Sequence, residues 1–117
     1  MPVSIHLLQP HERFHKALRG LAVSPKPPRQ RIGDVFAAYL SDLEPGNLPP
    51  EVGARLKAYS DAWDAQVDWH GGRLVNYYGS VGLWARSLTW KQAREVAHWV
   101  VDAHDEISLL LDDGLRQ

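Results

Sequence analysis

Residues 11–15 read His11-Glu12-Arg13-Phe14-His15, the one stretch whose residue types and spacing spell out a possible chemistry. On a helix, positions four apart share a face, so the two imidazoles project together and can grip a zinc ion. The glutamate between them would polarise a metal-bound water for attack on a carbonyl. A third protein ligand is needed, and His6, His70 and His104 are the candidates. His98 and Asp102, one helical turn apart, form a second possible acid–base pair, although such pairs are ordinarily surface contacts.

The five residues resemble the zincin metallopeptidases. That resemblance implies His11 and His15 as ligands, Glu12 as general base and a small zinc-dependent hydrolase as the activity. It covers these five positions only. Arg13 puts a fixed positive charge inside the motif, Pro10 places the motif in the first turn of its helix, and Gly20 closes that helix soon after. His15 is followed by Lys16-Ala17-Leu18-Arg19-Gly20-Leu21, which lacks the glycine and third histidine of the metzincin branch. Read as an element, the same segment is an amphipathic first helix with Leu7, Phe14, Leu18 and Leu21 inward and histidines at its rim. The sequence favours this second reading, so no catalytic residue, metal or cofactor is assigned.

The elements that would hold such a site follow from periodicity. A basic first helix is predicted over about 10–18, and Ser24-Pro25-Lys26-Pro27-Pro28-Arg29 then forms an extended linker, because proline fixes φ and biases its predecessor away from helix. A second helix over about 30–43 sets Ile32, Val35, Phe36, Tyr39, Leu40 and Leu43 on one face. A third, over about 50–70, buries Val52, Leu56, Tyr59, Trp63 and Val67, and Gly71-Gly72 ends it. Residues 73–88 fit a helical stripe interrupted by Gly79 and Gly82, each costing about 1 kcal/mol in a helix interior; a broken helix is the expectation, with a strand at 73–78 the alternative. Thr89 caps the last helix, over about 90–113, where Trp90, Ala93, Val96, Ala97, Val100, His104, Ile107 and Leu111 form the apolar stripe. The expected fold is all-α, a single domain of about four or five helices, with the last two-thirds of the chain forming the core.

The chain has 117 residues, 44% hydrophobic and 23% charged, with a net charge of −1. No stretch is apolar and long enough to span a membrane, and the first residues lack the pattern of a secretory signal. There is no cysteine, which excludes disulfides and thiolate chemistry. A cytoplasmic location is the default these features leave. Charge is lopsided: residues 1–33 hold six basic groups against Glu12 alone, and the rest hold seven against thirteen acids. A basic arm for nucleic acid is one reading, but no aromatic residues are interleaved with it after Phe14, and nucleic acid is not the expected partner. Attraction between the two ends, within or between chains, is preferred.

Five tryptophans and four tyrosines are a heavy load for this length. Tyr77, Tyr78, Trp84 and Trp90 cannot all face one way, and aromatic rings near glycine hinges suit binding surfaces. On the last helix, Trp99 and Leu109 point away from the stripe, and Asp102, Asp105, Glu106, Asp112 and Asp113 crowd the end where the helix dipole favours cations. The sequence therefore points to a non-enzymatic regulator, adaptor or inhibitor that binds a protein through Tyr77, Tyr78, Trp84, Trp99 and Leu109, with self-association through the last helix. A zinc hydrolase is the alternative, and nucleic-acid binding a second one.

Overall fold

The computed structural model describes residues 7–70 and 72–116, with side chains for residues 7–66 and 79–113. Five α-helices account for most of it: α1 (Leu8–Val23), α2 (Pro28–Val35, continued by one π turn, Phe36–Leu40), α3 (Pro50–His70), α4 (Gly72–Ser87) and α5 (Trp90–Arg116). The fold is all-α and single-domain, with no strand among the described residues. No described helix is long and apolar enough to cross a membrane.

Each element has a local cause. Pro28 opens α2 because its fixed φ suits a first helical position and its missing N–H is not needed there. The π turn closes through the Ser41 N–H donating to the Phe36 carbonyl at 2.7 Å, and Pro45–Asn47 then form a short 3₁₀ turn into α3. At the start of α5, the Gln92 N–H donates to Thr89 Oγ1 at 3.1 Å and the Thr89 N–H donates to Gln92 Oε1 at 2.9 Å. This is a reciprocal capping box that satisfies two donors the helix cannot satisfy itself. α4 is two helical pieces joined at Gly79, whose φ of 77° and ψ of 159° lie where side chains are strained. The broken helix expected over 73–88 is thus what forms, and no strand replaces it.

α1 differs from expectation. It runs through Gly20 to Val23 instead of stopping at Gly20. A Cβ on Gly20 would lie 2.6 Å from Val35 Cγ1, so this glycine serves close approach of α1 to α2 and not a helix stop. Gly33 does the same for α2 and α4: its Cβ would lie 3.2 Å from the Ala85 Cβ and 3.6 Å from the Gly82 Cα.

The core is also wider than the last two-thirds of the chain. Phe14 and Ala17 of α1 are fully buried alongside Ile32, Phe36, Leu40, Leu56, Val100 and Ile107. α1 lies antiparallel along α5, since Phe14 meets Trp99 while His11 meets Ser108 further along. Without that helix the apolar stripe of α5 would face water.

The basic first third is used internally. Arg13 donates to Asp42 Oδ1 at 3.1 Å, Lys16 pairs with Glu12, and Lys26 with Asp34 at 2.8 Å. Arg29 donates to the Arg86 and Leu88 carbonyls at the end of α4, and Arg31 to the Leu21 carbonyl near the end of α1. Cations at helix C-termini satisfy free carbonyls and offset the dipole.

Close packing gives a direct test. A Cβ on Gly53 would collide with the backbone carbonyl oxygen of Pro45, whereas one on Gly46 meets nothing within 4 Å. Gly53→Ala is expected to destabilise the fold by about 1–3 kcal/mol, as overpacking does, and Gly46→Ala to change it by less than about 0.5 kcal/mol. Chemical denaturation of both variants checks the contrast.

Candidate functional site

Of the motif residues, His11, Phe14 and His15 of α1 face α5. His104, carried on the α5 stripe, meets both histidines: its ring stacks on His11 at 4.9 Å between centroids with 25° between planes, and lies 5.9 Å from His15. His11 Nε2 is hydrogen-bonded to Ser108 Oγ at 2.9 Å. His104 has a side chain 18% exposed and lies 3.6 Å from Asp105 through Nδ1; its buried Nε2 has no hydrogen-bond partner.

Zinc does not fit this arrangement. Imidazole lone pairs lie in the ring plane, so stacked, nearly parallel rings do not converge their nitrogens on one ion. His11 Nε2 is already committed to Ser108, and among the described residues no group of three His, Cys, Asp or Glu side chains is arranged to hold a metal. Glu12 is exposed and paired with Lys16 at 3.1 Å, and Arg13 turns toward Asp42. The three histidines form a structural seam between α1 and α5, not a ligand set.

That seam is sensitive to acid. Burial, then the neighbouring charges of His104 and His15, lower the pKa of His11 from its ordinary 6.5, with Asp112 opposing them. The folded chain therefore takes up this proton less readily than the unfolded one. The stability it protects is complete above the ordinary histidine value and is lost as pH falls through it toward the lower folded value.

The expected binding residues divide. Trp84 is 3% exposed, which corrects the expectation that it reaches the surface: it packs edge-on against Phe36 at 5.2 Å and Trp63 at 5.5 Å. The sequence put it beside hinge glycines, but Gly82 lies where α2 and α4 cross, its Cα 3.6 Å from where a Cβ on Gly33 would stand, and Trp84 two residues on is in the core. Trp99 is half-buried, with Phe14, Phe36 and Tyr59 around it at 5.2 to 6.0 Å. It also lines an open groove of about 540 Å³ between α3 and α5, beside Arg55, His98 and Asp102. Leu109 is 64% exposed. The side chains of Tyr77 and Tyr78 lie outside the described residues.

One residue placed on the apolar stripe, and also among the aromatics that cannot all face one way, is at the surface. Trp90 is 61% exposed, with the Arg29 guanidinium 5.4 Å above its ring. It is the first residue of α5, so the stripe extends there beyond the helices that cover the rest of it. That position was the available signal. Among the described residues, Leu8, Val23, Val101 and Leu110 complete the exposed large apolar set. Trp90, Val101, Leu109 and Leu110 belong to α5.

No protein family, no curated protein and no solved structure matches this chain.

Two measurements test the seam. The melting temperature should fall on acidification from about pH 7.5 to about pH 5, and His11→Gln, which keeps a partner for Ser108, should flatten that slope. His104→Phe removes a buried nitrogen without a partner while retaining a ring against His11, and should raise stability by about 1 kcal/mol.

Proposed function

We propose that this protein is a non-catalytic interaction module, a small regulator or adaptor that acts by binding another polypeptide along the outer face of α5. The observation that carries this reading is the composition of that face. Trp90, Val101 and Leu109 are exposed on it, Lys91 and Arg94 lie at its start, and Asp102, Asp105 and Asp112 lie toward its end. Exposed tryptophan and arginine are the side chains that most often anchor protein interfaces, because each combines large contact area with directed polar contacts. Isolated exposed leucines are ordinary on a surface; exposed apolar positions repeated along one helix with ordered charge between them match the anatomy of a contact surface.

This reading moves the binding surface away from Trp84 and the ring of Trp99. Those two belong to the aromatic core and act only by holding α5 in place. Leu109 stays in the surface and Trp90 joins it.

A pair of substitutions separates the roles. Trp90→Ala should leave helical circular dichroism intact and shift stability by less than about 0.5 kcal/mol, while sharply reducing capture of partner protein from the native host. Trp99→Ala should cost about 3 kcal/mol of stability as an aromatic core truncation does. Full retention of partner capture by Trp90→Ala and by a Leu109→Ser variant would overturn the assignment of this face.

A further inference from the structure

Resting on the α5 reading above, we infer that the polypeptide this face takes is a second copy of the same chain, docked antiparallel along α5 with Val101 at the two-fold axis. Two observations lead there. At about 100° per residue, Trp90, Arg94, Val101, Asp105 and Asp112 fall within a strip about 60° wide, with Lys91, His98 and Leu109 along its edge. The strip is bipolar, basic in its first half and acidic in its second. The side chains of Lys91 and Arg94 make no hydrogen bond or ion pair with another described residue. Two such strips side by side repel if parallel and neutralise each other if antiparallel, and a two-fold axis generates the antiparallel pair from one sequence.

With Val101 on the axis, antiparallel register sets Asp112 beside Trp90 and Lys91 of the other copy, and brings Asp105 and Asp112 about one turn either side of Arg94. The axis thus joins the basic half to the acidic half, twice over, with the exposed Trp90 and Val101 between them.

The absence of cysteine from the chain makes the axis testable. The wild-type protein should sediment as a dimer, and Val101→Cys should form a disulfide-linked dimer on mild oxidation, whereas Ala38→Cys, on the π turn, should not. The doubly reversed Lys91→Glu/Arg94→Glu protein should dissociate with at least about a tenfold rise in Kd. The Asp105→Lys/Asp112→Lys protein should do the same. Both sets of changes lie outside the buried row of α5, so each protein should keep its helical circular dichroism as a folded monomer. Mixing the two monomeric proteins should restore a dimer, since an all-acidic strip then meets an all-basic one at both ends. A monomeric wild type at its highest soluble concentration overturns the inference, as does a dimer that survives either reversal or fails to cross-link through Val101→Cys. If the wild type is monomeric while Trp90→Ala still abolishes capture of a host protein, the second copy is excluded and the interaction reading of α5 stands.

Discussion

The contact on which the architecture depends is the ring of Phe36. It is fully buried and lies 5.2 to 6.1 Å from the rings of Tyr59 and Trp63 on α3, Trp84 on α4 and Trp99 on α5. Three helices thereby register on one side chain, and Phe14 of α1 joins through Trp99 at 5.5 Å. Most of these pairs meet edge to face, the arrangement that sets the positive rim of one ring against the negative face of the next and adds about 0.5–1.5 kcal/mol per pair beyond area burial. Phe36 begins the π turn, whose wider winding sets residues four apart closer to one line than an α turn does. Leu40 is accordingly buried with it. The aromatic load that looked excessive in the sequence is largely the substance of this hub.

Much of the fold was legible because the apolar periods are clean. Ile32, Val35, Phe36 and Leu40, then Val52, Leu56 and Trp63, then Ala93, Val96, Val100, Ile107 and Leu111 are buried on the faces that spacing predicts. The broken α4 was legible from Gly79. What failed was the reading of Gly20 as a helix stop. Like Gly33, it removes a Cβ where two helices cross. A glycine that admits a neighbour and one that stops a helix look alike in sequence, because the distinction lies in a contact with a residue far along the chain.

The candidate site was legible in its parts but not in its assembly. His11 and His15 share a face as their spacing requires, and His104 sits in the α5 stripe as its period requires. That the two faces meet depends on α1 lying antiparallel to α5, which no local signal encodes. The meeting gives the seam its character: a stacked His11–His104 pair, a hydrogen bond to Ser108 and a buried nitrogen without a partner. These groups are held at the joint between two helices, so the seam depends on the packing of α1.

The charge order of α5 is the feature that stability alone does not explain. Lys91 near the N-terminus and Asp112 and Asp113 near the C-terminus oppose the helix dipole, at about 0.3–1 kcal/mol for an exposed group. Elsewhere the chain orders its charges the other way: Arg29 sits on the terminal carbonyls of α4, and Arg31 on the Leu21 carbonyl near the end of α1. α5 tolerates its reversed charges because the Thr89–Gln92 capping box and the buried row from Ala93 to Leu111 fix it independently of its outer face. That leaves the outer face free to be written for something other than the helix itself. The charges that disfavour α5 in isolation are favourable once an antiparallel helix of the same sequence lies beside it, and the exposed Trp90, Val101 and Leu109 stand between them.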